Sequence, residues 1–181
     1  MKYLLIILAT CLQITASAQT KKSSPLQGGV ELDVLPYITG GYFGAAWMGK
    51  NHWRIRALTA TVNKPDWSTK KGFVNHHIEA YAVVGDYFFK PDWKGFWLGS
   101  GLVHWKSSIQ SSAKVQTATL NNWLLNGSMG YHFSLSKKIY LSPWGGLSFK
   151  VAGDKNVPVD DKRFTLPLVN PEASLKLGYV F

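Results

Sequence analysis

The chain has a single cysteine, Cys11, and it falls inside the first apolar segment. A mature protein that begins after Ala18 therefore has neither a disulfide nor a thiolate metal site to brace it. Acid is scarce as well: ten Asp and Glu stand against twenty Lys and Arg, a formal net charge of +10. Also missing is any run of roughly 20 consecutive apolar residues, the length a membrane-spanning helix requires. A helical membrane protein and a disulfide-stapled domain are both excluded, and stability must come from another source.

The first residues carry an export pattern. Lys2, the apolar run Tyr3 to Leu12 and the small residues Ala16-Ser17-Ala18 before Gln19 read as a secretory signal peptide over residues 1–18, not as an anchor. Thr10 is a poor match for the residue preceding a lipidated cysteine. Basicity by itself suggests nucleic acid, but the lysines cluster in expected turns and loops, at Lys21-Lys22, Lys70-Lys71 and Lys137-Lys138, and not along one helix or sheet face. That distribution suits an anionic membrane surface, and no nucleic-acid partner is expected.

The abundant feature is period-2 alternation. In Glu172 to Phe181, the residues Ala173, Leu175, Leu177, Tyr179 and Phe181 fall on one face and Ser174, Lys176 and Gly178 on the other. Reading back from Phe181 gives eight such segments, at 29–36, 39–49, 52–63, 76–89, 95–107, 121–135, 138–152 and 172–181. They predict an all-β, eight-stranded antiparallel up-and-down transmembrane β-barrel over residues 29–181, preceded by a periplasmic leader at 19–28. A closed barrel is the other structure that pairs every backbone polar group inside a bilayer.

Short turns are expected at 49–51, 90–93 and 136–137, all carrying Gly, Pro, Asn, Asp or Ser. The external loops are then 64–75, 108–120 and 153–171. Lys-Pro-Asp-Trp occurs at Lys64 to Trp67 and again at Lys90 to Trp93, on opposite sides in this arrangement, as repeated turn chemistry. Eight Trp, eight Tyr and nine Phe supply interfacial girdles. Soluble sandwiches and lipocalin-like barrels show the same alternation, and the aromatic-ended last strand favours the membrane form.

Facing follows from the alternation and from the cost of a charge on the lipid side, about 2 to 4 kcal/mol for Arg or Lys near mid-membrane. Val30, Leu32, Val34, Trp53, Ile55, Trp123, Leu125, Met129, Tyr131, Phe133, Leu135, Leu141, Leu147, Phe149 and Val151 face outward. Asn126, Ser128, His132, Ser134, Tyr140, Ser142 and Ser148 face inward with a lumen charge network of Glu31, Asp33, Arg54, Arg56, Lys150 and Lys176. Strands one and eight meet at the closure, so Lys176 is expected beside Glu31 or Asp33. The fifth segment is apolar on both faces; His104 and Lys106 are assigned inward. Pro143 removes a ladder donor and should leave the seventh strand irregular.

With the signal peptide, the eight segments and the Leu-Lys-Leu-Gly-Tyr-Val-Phe ending, the chain resembles small outer-membrane barrels of the OmpA/OmpX type. It looks most like outer-membrane barrel proteins of Bacteroidota, which have a segment similar to Val34-Leu-Pro-Tyr-Ile-Thr-Gly-Gly-Tyr-Phe-Gly44. The resemblance implies an outer-membrane location, with outer-membrane lipid and lipopolysaccharide around a monomeric barrel. It also implies the barrel assembly machinery as a partner, with Leu177, Tyr179 and Phe181 as the assembly signal. It implies no activity and no cofactor.

Some small barrels modify lipid A, and His132-Phe133-Ser134 resembles the His-x-Ser pair of the lipid A 3-O-deacylase barrels. Such a pair needs an orienting acid, and none occurs between Lys137 and Gly153; no enzymatic activity is expected. His76 and His77 are adjacent and so point to opposite faces of a strand. Asp154, Asp160 and Asp161 are interleaved with Lys155, Lys162 and Arg163, a solvated loop pattern with no metal site. Eight strands enclose an interior that side chains fill. The expected role is structural, adhesive or ligand-binding through the external loops. The alternative is a carrier or narrow channel for a small apolar molecule held under the longest loop by Phe164, Leu166 and Leu168.

Overall fold

Eight strands close into one ring in chain order: β1 (Gln27–Asp33), β2 (Tyr42–Lys50), β3 (Trp53–Lys64), β4 (Phe73–Phe88), β5 (Gly95–Ser111), β6 (Thr117–Ser134), β7 (Ile139–Gly153) and β10 (Val169–Val180). A small hairpin of β8 (Val157–Val159) and β9 (Lys162–Phe164) interrupts the connection from β7 to β10. These elements come from a computed structural model that describes residues 25–181. The signal peptide expected at 1–18 and residues 19–24 of the leader lie outside the described residues. All neighbours are antiparallel, and β1 seals the ring against β10 with Asp33 opposite Lys176 and Glu31 opposite Gly178. No backbone edge of the ring is left open along that register, which is how a barrel removes the hazard of unpaired strands.

The strand limits depart from the sequence reading in two places. The first segment ends at Asp33, and Val34–Ile38, expected as strand and loop, forms a short helical turn, α1. Asp33 is engaged elsewhere and does not cap it; the turn ends where Thr39 Oγ1 donates to the carbonyls of Leu35 and Pro36 and Gly40 takes a φ of 79°. The other difference is on the far side, where β4, β5 and β6 run well past their expected ends and the segment 108–120 is mostly strand around a short turn at 112–116. Its period-2 pattern is real but carried by small polar residues. Ile109, Ala118 and Leu120 point inward and are buried, while Thr117 and Thr119 point out.

In β5 the assignment of His104 and Lys106 to the interior is reversed. Val103, Trp105, Ser107 and Ile109 are the buried residues. The interior at this level is apolar, so Trp105 gains more from it than a lysine does. His104 packs outside against Trp123 at 4.7 Å between ring centroids, and Lys106 meets Glu79 at 3.7 Å. At Pro143 the β6–β7 ladder lacks its rungs between Gly130↔Trp144 and Phe133↔Leu141, yet the register is the same on both sides. A true register shift occurs higher up, between Trp123 and Leu124.

The outer surface is apolar around the whole ring. Val30, Leu32, Met48, Ile55, Val83, Leu98, Leu102, Leu125, Met129, Leu147 and Leu177 are all more than two-fifths exposed. Aromatic rings gather at the turn end: Trp53 meets Tyr87 at 5.0 Å, Phe96 meets Tyr131 at 4.8 Å, and Tyr131 meets Phe133 at 4.4 Å. On β4 the outward stretch from Phe89 to Tyr81 spans about 27 Å of strand, or roughly 20 Å along the axis at a typical tilt of about 40°. Above it comes the Glu79–Lys106 pair. Among the described residues, no outward position between these levels carries a charge.

Candidate functional site

The two halves of the interior differ. In the half nearer the short turns, alternation sends Glu31 from β1, Arg54 and Arg56 from β3, Asp86 from β4 and Lys176 from β10 into one buried cluster. Arg56 grips Asp86 with two bonds, Nε to Oδ2 at 2.8 Å and Nη2 to Oδ1 at 2.9 Å. Its Nη1 donates to Glu31 Oε2 at 3.1 Å. Arg54 joins the same two acids, at 2.9 Å to Asp86 and 2.9 Å to Glu31. Tyr140 closes the ring, its hydroxyl donating to Glu31 Oε1 at 2.6 Å while accepting from Arg54 at 3.1 Å. Two arginines and two carboxylates thus satisfy each other in a fork geometry that lysine does not reproduce.

Aromatic rings insulate this cluster. The Arg54 guanidinium lies 5.0 Å from the Phe88 ring and 5.3 Å from that of Trp47, and Arg56 lies 5.4 Å from Trp97. Lys176 does not pair with Glu31 or Asp33 as the sequence suggested. Its ammonium sits over Trp144 at 4.3 Å and Trp97 at 4.7 Å, with no ion pair within 4 Å among the described residues. The Trp144 side chain stands between the expected partners: its ring face meets the lysine and its Nε1 donates to Asp33 at 2.7 Å. Asp33 also accepts from Ser174.

Lys150 lies apart from the network. It is half-buried near the loop end, and its Nζ donates to the Asp154 carbonyl. At that height the lumen is apolar, so the long side chain carries its charge out to the rim. Asp86, Tyr140, Trp97 and Trp144 were the members the sequence reading missed or left unassigned to the cluster. Alternation was the signal for the acid: Asp86 stands between Gly85 and Tyr87 on the opposite face and lies across the β3–β4 ladder from Arg54.

The loop-end half is filled by hydrocarbon. Val159 and Phe164 from the β8–β9 hairpin, with Leu166, descend onto Phe43, Phe73, Ile78, Trp105, Ile109, Leu120 and Leu124. Phe164 and Leu166 are almost fully buried, while Leu168 is exposed. The pocket drawn from these three residues in the carrier reading is therefore occupied by two of them. Two concavities among the described residues lie outside the lumen, one at the loop rim and one on the outer wall beside Val30, Leu32 and Leu177.

The residues weighed for catalysis do not come together. His132 is buried and stacked on Tyr140 at 4.1 Å, with Phe88 edge-on at 5.9 Å, and its Nδ1 has no hydrogen-bond partner. Ser134, expected inside, is exposed where β6 leaves the barrel. Among the described residues no carboxylate bonds the imidazole Nδ1. His76 and His77 do diverge: His76 is buried against Phe164, and His77 Nδ1 bonds Asn63 Oδ1 at 2.6 Å. No metal-binding group of three His, Cys, Asp or Glu residues occurs among the described residues. Asp154 accepts from the Asn121 amide and Asp160 from Ser111. Leu177, Tyr179 and Phe181 lie on the outer face near the turn end, Tyr179 and Phe181 with ring centroids 6.0 Å apart.

No protein-family model and no curated protein matches the chain. Solved structures that share its fold include two barrels. The N-terminal β-barrel domain of Pseudomonas aeruginosa OprF superposes with a TM-score of 0.59 at 10% sequence identity, covering 88% of this chain and 100% of that one. Neisserial surface protein A (NspA) does so with a TM-score of 0.55 at 11% identity, covering 89% and 100%. What is common to the three is an eight-stranded antiparallel barrel.

Proposed function

We propose that this chain is an integral outer-membrane β-barrel, exported by its signal peptide, with a closed lumen and a structural, adhesive or ligand-binding role carried by its loop end. The observation that carries the reading is the inverted distribution of polarity. Charges and hydrogen bonds are buried inside, while an uncharged apolar belt rimmed by aromatic rings faces out. A soluble monomer rarely exposes a contiguous apolar patch beyond a few hundred Å², whereas lipid stabilises this arrangement. The outer-membrane proteins OprF and NspA, which share the fold, support the same placement.

The lumen argues against transport. An ion-paired, aromatic-walled layer at the turn end and a hydrocarbon layer at the loop end lie in series across the axis. The experiment is insertion of the purified barrel into a planar bilayer, where we expect incorporation without single-channel steps; regular ion-conducting steps would show that the layers open. The same reading makes Leu177, Tyr179 and Phe181 the surface read by the barrel assembly machinery. Phe181→Asp is expected to lower recovery in the outer-membrane fraction several-fold while the refolded variant melts as the parent does. Normal recovery would remove that role.

A further inference from the structure

On the outer wall, a groove of about 210 Å³ lies over the closure of the ring, lined by Val30 and Leu32 of β1, Ile139 of β7 and Leu177, Gly178 and Tyr179 of β10. Two outward rungs of the ladder make it. Ile139, Tyr179 and Val30 share the rung nearer the short turns, and Leu177 stands opposite Leu32 on the next outward rung above. The floor between them is backbone, because Gly178 and its ladder partner Glu31 face inward. The side chains that border the groove are therefore apolar except at the Tyr179 hydroxyl.

Polar chemistry is confined to the turn end of the groove. Lys138 Nζ donates to the Tyr179 hydroxyl at 3.3 Å and lies 5.5 Å from the centre of its ring. The hydroxyl is the acceptor in that bond, so its own proton is left to donate, as are two of the three ammonium protons. Two donor groups thus converge on one point at the aqueous end of the wall. Lys138 has no ion pair within 4 Å among the described residues. No Asp or Glu occurs between Leu135 and Leu141 or between Leu177 and Phe181. At the β4–β5 turn, by contrast, Lys94 already faces Asp92 at 3.6 Å. Upward from Lys138 the order is cation and hydroxyl, aromatic ring, then aliphatic side chains. A phospholipid has the matching order of phosphate, ester level and acyl chain, with the aromatic ring at the interface.

We propose that this groove seats one anionic phospholipid of the periplasmic leaflet, with its phosphate at Lys138 and Tyr179 and an acyl chain over Gly178 between the two outward rungs. A zwitterionic headgroup fits less well, because it brings a second ammonium beside Lys137 and Lys138 with no acid side chain to receive it. The inference rests on the outer-membrane placement proposed above, with the short turns on the periplasmic side.

The test is native mass spectrometry of the mature barrel released from nanodiscs of phosphatidylglycerol and phosphatidylethanolamine in equal amounts and with the same chains. Glycerophosphoglycerol, the headgroup without chains, serves as competitor. Phosphatidylglycerol should be retained in preference to phosphatidylethanolamine, and millimolar glycerophosphoglycerol should not displace it. Lys138→Met should reduce that preference about fivefold, the effect of one lysine at an anionic lipid surface. Ile139→Trp fills the groove and should lower retention several-fold with Lys138 still in place. Lys50→Met with Lys94→Met removes two charges from the same end but away from the groove, and should leave the preference unchanged. Equal retention of both lipids by the parent overturns the anionic assignment, and displacement by the bare headgroup overturns the seat for the chain. Undiminished retention by Ile139→Trp overturns the groove itself. An equal loss of preference in the Lys50 and Lys94 variant would overturn the site in favour of the general charge of the turn end. Failure of the parent barrel to enter bilayers would instead refute the membrane placement, so the two ideas fail separately.

Discussion

Arg54→Met is expected to destabilise the barrel by about 3 to 5 kcal/mol, the usual cost of removing one partner from a buried ionic cluster. The residue bonds Glu31, Asp86 and Tyr140 at once and packs its guanidinium against Phe88 and Trp47. Methionine refills much of the volume but leaves three buried acids against Arg56 and Lys176. Because Arg56 already holds Asp86 with two bonds, the excess charge is felt chiefly at Glu31. Arg54→Met combined with Glu31→Gln should therefore recover part of the loss, since Tyr140 can still donate to the amide oxygen. Urea unfolding in micelles reads both. A single variant within about 1 kcal/mol of the parent, the range of an exposed pair, would mean that water reaches the cluster and that the turn-end layer is not sealed.

Gly178→Val should be at least as damaging, from a steric cause. Gly178 lies opposite Glu31 on one side and Tyr140 on the other, and a Cβ there would come within 2.0 Å of Tyr140 Cζ and 2.4 Å of its hydroxyl oxygen. The ring has nowhere to go: it is buried, stacked on His132 and bonded to Glu31. Overpacking of this kind costs about 1 to 3 kcal/mol. Displacing the hydroxyl adds about 1.5 to 3 kcal/mol for the lost bond to a charged group. Gly127→Val provides the contrast, because nothing lies within 4 Å of a Cβ at that outward position; its melting temperature should match or exceed the parent's. Combining Gly178→Val with Tyr140→Ala should destabilise by less than the sum of the two single changes. Strict additivity would mean that the two positions do not compete for the same space.

The alternation that located the strands also located most of the lumen. Glu31, Asp33, Arg54, Arg56 and Lys176 are all inward because period 2 leaves a strand residue two choices, and the apolar partners of these residues chose the other face. The same logic was silent in β5. With Phe96, Trp97, Leu98, Leu102, Val103 and Trp105 on both faces, neither side is marked as lipid or lumen, and only the apolar contents of the loop-end interior draw Trp105 in and push Lys106 out.

The number of barrel strands, their ring order and the facing of most residues outside β5 were thus determined by the sequence alone, because they depend on rung-by-rung alternation and on turn chemistry, both of which are local. Which charges pair was decided only by the tertiary structure. Asp33 and Lys176 oppose each other in the ladder, yet Trp144 from the next strand takes the carboxylate with its N–H and the ammonium with its ring face. Arg54 and Arg56 reach past β2 to Glu31 on one side and to Asp86 on the other. Such contacts run across the lumen between strands that are not all neighbours. They depend on how side chains of different length fill a closed cylinder, and no periodicity along the chain encodes that volume.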